Sequence, residues 1–177
     1  MAAHSNEGLL VAKKTTLTRA EIATLIKQHV ANYWREKMYA VSAEVGLNKG
    51  GSLRADIMAV HVKNEIVMVE VKSSWADFKV DNDKGKWRKY LPFCNRMYFA
   101  CGAATYEKIK PRLPPEVGVF VVRYFKDKKY NIPRTTIRMV KSATYREIDP
   151  AIMANVAIRM AYRGADMTRF KMNKRIQ

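Results

Sequence analysis

The chain has 177 residues, 48% of them apolar, which is enough to bury one substantial core. Lysine and arginine total 33 against 16 aspartates and glutamates, so the net charge is +17, spread along the chain. This excess predicts a polyanionic partner, nucleic acid first and an anionic membrane surface second, because counter-charge relieves self-repulsion. No segment approaches the ~20 apolar residues of a membrane span, so we expect no contact with the membrane interior.

The strongest helix signal begins at Thr18. Thr18 and Glu21 have the spacing of a capping box, and apolar residues then recur at helical spacing through Trp34. Four strands are predicted next, at residues 39–45, 53–62, 65–73 and 96–101. The polar segment 75–93, between the last two strands, is predicted to hold a helix that ends near Pro92.

The C-terminal half continues the alternation after a proline-rich turn. Strands are predicted near residues 117–125 and 135–140, and Asp149-Pro150 is a typical helix start for a last helix reaching about Gly164. We predict one domain over residues 1–177, with a flexible arm at 1–14 and a basic tail at 167–177. The order of elements indicates an α/β fold around a central mixed sheet, beginning with an antiparallel meander of three strands.

The segment EIVMVEVKSS, residues 65–74, places two charges in an otherwise apolar strand. Glu70 and Lys72 are two residues apart, so both side chains project from the same face. Burying either charge without a partner costs on the order of several kcal/mol. Asp56, inside the preceding predicted strand, is a candidate to join them.

The connection between these strands decides whether Asp56 shares their face. Directly opposed residues of an antiparallel hairpin have a constant index sum. A connection centred on Lys63 makes that sum 126 and sets Asp56 opposite Glu70, whereas a two-residue turn sets Asp56 opposite Val71, on the other face. A functional site therefore requires a connection of odd length, or a bulge.

Two carboxylates on one face repel each other unless a cation lies between them. Oxygen ligands select a hard cation, and Mg²⁺ is the usual one in phosphate chemistry, with Mn²⁺ expected to substitute. Such a metal polarises a phosphoryl oxygen and lowers the pKa of a bound water. Lys72 would orient that water or stabilise charge developing on the phosphate. On a strongly basic chain, this combination predicts phosphodiester hydrolysis.

A purely structural alternative stands beside this interpretation. Glu70 and Lys72 would pair with each other on a solvated face, and Asp56 would pair with Arg54. The residues around Glu70 alternate little between apolar and polar, which indicates burial on both faces and favours the metal site.

The motifs of this region resemble a known family. Asp56, then Glu70-Val71-Lys72, on consecutive strands after a helix and a first strand, resembles the PD-(D/E)XK nuclease superfamily. More narrowly, RADIMAV, IVMVEVKSSWADF and KWRKYLPFCNRMYFA resemble the MmcB family of bacterial DNA-repair proteins, which also occurs in phage-like contexts. The resemblance is close over residues 41–100, loose from residue 111 onward and absent before residue 18. It implies an α/β fold with a PD-(D/E)XK restriction-endonuclease-like core, a central mixed β-sheet flanked by helices.

The resemblance also implies roles for individual residues. Asp56, Glu70 and the backbone carbonyl of Val71 would bind the metal, and Lys72 would be the catalytic lysine. Many members add an acidic residue from the first helix or first strand, for which Glu44 is the preferred candidate because it lies at the end of the strand beside Asp56. The remaining candidates for this role are Glu36 and Glu21.

Contacts to DNA are expected around this centre. The candidates are Arg54, Lys86, Arg88 and Tyr90, the last three on the predicted helix after the Glu70 strand. An alternative is a solvated helix face with Trp87 in the core. Roles for Asp77 and Asp81 stay open because the segment holding them is longer than the family pattern.

The resemblance implies a Mg²⁺-dependent DNA endonuclease acting in repair, recombination or phage DNA metabolism. The alternative is a DNA-binding repair module of the same fold without efficient cleavage. A structural RNA-binding protein would leave Glu70 unexplained. Cys94 and Cys101 form no metal or redox motif and are expected to be buried thiols, in the cytoplasm of a bacterial or phage-infected cell. Junction-cleaving relatives tend to be dimers, so a homodimer is compatible with the resemblance; the preferred DNA structure stays open.

Overall fold

The computed structural model describes residues 17–48, 50, 52–126, 129 and 133–164. The predicted N-terminal segment at 1–14 and the predicted basic tail at 167–177 lie outside these residues. The helices and strands follow the order α1 Arg19–Arg35, β1 Ala40–Gly46, β2 Arg54–His61, β3 Glu65–Lys72, α2 Trp75–Asp83, β4 Arg96–Gly102, α3 Ala103–Ile109, β5 Gly118–Lys126, β6 Pro133–Lys141 and α4 Pro150–Gly164. Short 3₁₀ turns occur at Lys86–Lys89, Leu91–Phe93 and Lys110–Arg112.

The six strands form one mixed sheet in the order of the chain. Strands β1, β2 and β3 are an antiparallel meander, β3, β4 and β5 are parallel, and β6 returns antiparallel to β5. Parallel neighbours need a crossover, which α2 supplies between β3 and β4 and α3 between β4 and β5. The predicted α/β fold with a central mixed sheet flanked by helices is confirmed.

Both faces of the sheet are covered. Helix α1 packs Ile26, Val30 and Trp34 on one face, against a cluster that includes Phe120. The second core cluster, on the opposite face, includes buried residues of α2, α3 and α4, among them Phe78. Strand β3 lies between the two layers and is buried along almost its whole length, which explains why its sequence alternates so little.

Several local predictions are confirmed. The capping box of Thr18 and Glu21 starts α1, with the Glu21 carboxylate accepting from the Thr18 N–H at 2.7 Å. The Asp149 carboxylate accepts from the Ala151 N–H at 2.7 Å at the start of α4. Both cysteines are free and buried.

No helix in the described part of the chain is long and apolar enough to cross a membrane.

The segment after β3 differs from prediction. Helix α2 ends at Asp83 rather than near Pro92, because Gly85 adopts a left-handed conformation at φ 59° and two 3₁₀ turns follow. Trp87 is buried on the first of these turns, as the alternative interpretation of this segment expects. Helix α3 was not predicted, since its seven residues give too short a periodic pattern.

Candidate active site

The hairpin of β2 and β3 has the register that a functional site requires. Ile57 pairs with Val69, so the index sum is 126. The connection is a three-residue turn whose last residue, Asn64, takes the left-handed conformation at φ 60°. This odd-length connection directs Asp56 and Glu70 to the same face, as the sequence analysis requires.

The two strands separate at the site itself. Their pairing ends at Ile57 and Val69, one residue before Asp56 and Glu70. The Asp56 carboxylate takes the place of the missing ladder contact, because its Oδ2 accepts from the Val71 N–H at 2.8 Å. The side chain of Asp56 is therefore held by the backbone of the neighbouring strand.

Glu70 is a buried carboxylate with incomplete hydrogen bonding. It is 6% exposed, and its Oε1 lies 3.5 Å from Lys72 Nζ and 3.6 Å from Lys86 Nζ. Its Oε2 is buried and has no hydrogen-bond partner among the described residues. Burial raises the pKa of Glu70 to about 7, against the attraction of Lys72, which lowers it. The site therefore contains a carboxylate oxygen that lacks a positive partner.

Lys72 is buried more deeply than Glu70, at 1% exposure. Its ammonium forms an ion pair with Asp81 of α2 and lies 5.8 Å from the centre of the Phe99 ring. Burial on its own would raise the pKa of Asp81, but the hydrogen bond and charge of Lys72 outweigh it and lower that pKa. Asp81 therefore fixes the position of the lysine.

Asp77 and Asp81, whose roles the sequence left open, have different roles: Asp77 caps helix α2, and Asp81 contacts the site lysine. Asp77 accepts from the Ser73 N–H at 3.1 Å, and its own N–H donates to Ser74 Oγ at 3.2 Å, which stabilises the start of α2. Asp81 follows four residues later on the same helix face and reaches Lys72. That i, i+4 spacing is the sequence signal that indicates Asp81.

Helix α1 contributes a lysine, not an acid. Lys27 Nζ lies 2.9 Å from Asp56 Oδ1 and also forms an ion pair with Glu44. Burial alone would lower the pKa of Lys27, but the hydrogen bonds that its ammonium donates to these two carboxylates raise it. Lys27 directly follows the core residue Ile26, and a charge at the border of an apolar stripe is a weak signal that the sequence analysis did not use.

Glu44, the preferred additional acid, lies next to Asp56 across β1 and β2. It adopts a positive φ of 56°, a conformation rare outside glycine and found disproportionately at functional sites. Its Oε2 lies 2.8 Å from Arg54 Nε. Of the other two candidates, Glu21 is engaged in the capping box and Glu36 lies beyond the far end of α1.

The four predicted DNA contacts lie in different environments. Arg54 is exposed and paired with Glu44, and Lys86 lies over the site, 3.4 Å from Asp81 Oδ2. Arg88 is exposed, with its guanidinium carbon 4.4 Å from the centre of a Trp ring. Tyr90 is 1% exposed and donates its hydroxyl to the Arg54 carbonyl at 3.1 Å, so the structure assigns it to the core and not to a surface that DNA reaches.

Most of the site residues line a cavity of about 260 Å³ between α1 and α2, at the C-terminal end of β3. Within the described residues, five carboxylates and four cationic groups meet in or next to it, for a formal charge of −1: Glu44, Asp56, Glu70, Asp77, Asp81, Lys27, Arg54, Lys72 and Lys86. The same part of the chain contains no group of three or more His, Cys, Asp or Glu residues arranged to hold a metal ion.

The fold and the cluster define an α/β protein with a buried acid–lysine centre at the point where two strands separate. A family model described as DNA repair protein MmcB-like matches residues 12–174, and the chain belongs to this family. That membership indicates a role in DNA repair, and thus an interaction with DNA.

Structural comparison adds support for the fold. The SPO1766 protein of unknown function from Silicibacter pomeroyi has a solved structure that aligns with a TM-score of 0.63 at 26% sequence identity. The alignment covers 80% of this chain and 84% of that one. No protein with a curated description matches this chain.

Proposed function

We propose that this protein is a metal-dependent deoxyribonuclease of the PD-(D/E)XK type that hydrolyses phosphodiester bonds during DNA repair. The observation that carries the proposal is the unpartnered Oε2 of Glu70, buried beside Asp56 and Lys72. A buried carboxylate oxygen without a donor is costly, and a bound cation removes that cost.

The donor set fits Mg²⁺ or Mn²⁺. Asp56, Glu70 and the carbonyl of Val71 would hold the metal, all three being oxygen donors. Two carboxylates are few for a dedicated metal cage, but Mg²⁺ usually keeps several waters and takes one or two carboxylates. The chemistry supplied by a bound Mg²⁺ is polarisation of a phosphoryl oxygen and a lowered pKa of a bound water.

The contacts of Asp56 identify the side chain that would have to move. Asp56 Oδ2 accepts from the Val71 N–H and Oδ1 is paired with Lys27, so a cation bound at Oδ1 would have to displace an ammonium group. Lys72 is buried and held by Asp81, whereas Lys27 is partly exposed and lies against Asp56 from outside. Lys27 is therefore the group we propose to swing away, toward the DNA phosphates.

The remaining side chains of the cluster would act on the DNA phosphates. Asp81 holds the Lys72 ammonium 3.5 Å from Glu70 Oε1, where it would stabilise negative charge developing on a phosphate. Lys86 and Arg54 border the same centre and would contact neighbouring phosphates, which positions the strand without reading its sequence.

A second candidate function also has an observation in its favour. Four of the five carboxylates of the cluster have a lysine or arginine within 4 Å, so most of its negative charge is paired without a metal. A DNA-binding repair module that keeps the fold without efficient cleavage would show this arrangement.

The test is cleavage of labelled linear, single-stranded and four-way-junction DNA, with Mg²⁺, with Mn²⁺ and with EDTA. Wild type is compared with Asp56→Asn, which removes a charge but little volume. The matched control is Asp83→Asn, which removes a carboxylate from an exposed pair with Lys79. We expect metal-dependent products from wild type and Asp83→Asn and none from Asp56→Asn.

DNA affinity is measured on the same variants in EDTA. Affinity should fall steeply with salt, because phosphate contacts release counterions. Tight, salt-dependent binding by a wild type that cleaves none of the substrates would refute the nuclease and support the repair module. If Asp56→Asn cleaves DNA as fast as wild type, this site does not carry out the reaction.

A further inference from the structure

The β5–β6 hairpin extends past the rest of the sheet. Strand β4 pairs with β5 only as far as Gly102 and Val122. Residues 123–126 of β5 pair instead with residues 133–136 of β6 alone, and we call this two-stranded extension the arm. Tyr124 and Phe125 on the arm are 58% and 44% exposed, which is unusual for two adjacent large aromatic residues.

A groove of about 990 Å³ lies between the arm, the first turns of α1 and the start of α3. This volume is at the upper end of ligand pockets, roughly 300–1,000 Å³. Its walls are mainly apolar, with hydroxyl groups from Ser73, Thr105 and Thr136. Arg123 is the single charged side chain among the described residues that line it.

The groove adjoins the candidate active site. Ser73 lines both the groove and the 260 Å³ cavity that contains Asp56, Glu70 and Lys72. Both lie where the parallel strands β3 and β4 end, the edge at which α/β sheets bind ligands. A DNA strand whose phosphate lies at the site would therefore have its adjoining nucleotide at the mouth of the groove.

We propose that the groove binds an unpaired nucleobase of the DNA, which stacks on Tyr124 or Phe125. Aromatic rings beside a basic side chain are the usual platform for single-stranded nucleic acid. Arg123, next to Tyr124 on the arm, is that basic side chain. Bases in a duplex are stacked on one another and cannot enter, so the substrate is DNA that is single-stranded or locally unpaired next to the cleaved phosphate.

The inference rests on the proposed function only in placing a DNA phosphate at the candidate site. It is tested by binding in EDTA, where cleavage plays no part. The probes are a fluorescein-labelled single-stranded oligonucleotide, the same oligonucleotide with abasic sites at its central positions, and the corresponding duplex. The abasic probe retains every phosphate, so any difference in affinity reports the bases.

Wild type should bind the intact single strand roughly 5- to 150-fold more tightly than the abasic probe, the range expected for one stacked base. The variant Tyr124→Ala/Phe125→Ala should lose that preference and keep its duplex affinity. The control Tyr145→Ala removes an exposed aromatic that lines neither the groove nor the candidate site and should keep the preference. Circular dichroism would check that all three proteins are folded.

Equal binding of intact and abasic probes by wild type, or a preference that survives in the double variant, would overturn the inference. A wild-type dimer in sedimentation that the double variant dissociates would also overturn it, by assigning the groove to a second copy of the chain. A preference for the intact probe without DNA cleavage would refute the proposed nuclease activity and leave base binding in the groove standing. Cleavage without that preference would refute base binding in the groove and leave the nuclease activity standing.

Discussion

Replacing Glu70 by glutamine tests the most unusual feature of the candidate site. Burial raises the pKa of this carboxyl from its ordinary value of 4.5 to about 7. A raised folded-state pKa means that the neutral form fits the fold better, so stability is complete below pH 4.5 and is lost as the pH rises through about 7. At pH 8 the charged form costs about 3 kcal/mol of unfolding free energy. Glutamine keeps the shape of the neutral acid and avoids that cost.

We therefore expect Glu70→Gln to be more stable than wild type by about 3 kcal/mol at pH 8 and equal to it near pH 4.5. For a chain of this size, that difference corresponds to a rise of about 6–12 °C in Tm. Urea denaturation in EDTA from pH 4.5 to pH 8 measures it. Adding Mg²⁺ at pH 8 should stabilise wild type and not the variant, since ligand binding to the native state adds to stability.

The control is Glu65→Gln on the same strand. Glu65 has full partners, with Arg96 Nε at 2.7 Å and the Tyr39 hydroxyl at 2.8 Å, so its replacement should bring no gain. A Glu70→Gln variant less stable than wild type at pH 8 would refute the reasoning. It would show that the ion pair with Lys72 stabilises the fold and that Glu70 needs no additional cation.

Two further predictions concern packing at the opposite end of the parallel strands from the site. Gly118→Ala should destabilise the protein by about 3 kcal/mol, because the added carbon would lie 2.4 Å from the Tyr98 ring and 2.6 Å from a backbone nitrogen. The control is Gly102→Ala, whose added carbon meets nothing within 4 Å and should change stability by less than about 0.5 kcal/mol. Asn95→Ala should cost about 2 kcal/mol in urea denaturation, since the buried carboxamide accepts from the Ile66 N–H at 2.7 Å and leaves that donor unpaired when removed.

Local patterns were sufficient to predict most elements of the fold. The capping box at Thr18, the cap at Asp149 and the uninterrupted apolar run around Glu70 each depend on neighbours a few residues away, and the structure has all three. The meander also follows from short connections, which leave adjacent strands antiparallel. Helix α2 was predicted too long because the left-handed conformation of Gly85 was not recognised as its end.

The candidate site was predicted in part for the same reason. Asp56, Glu70 and Lys72 lie on one hairpin, so their shared face depends on a single turn length that the sequence limits to two choices. The structure selects the odd turn that ends at Asn64.

The partners of these residues depend on tertiary structure alone. Lys27 comes from α1 and Asp81 from α2, and each reaches the site only because its helix packs beside β3 at a particular angle and depth. The arm groove likewise requires α1, α3 and β5 to meet at one edge of the sheet. A sequence displays local periodicity, but the contacts between separate helices and strands are set by packing of whole surfaces, which no short segment encodes.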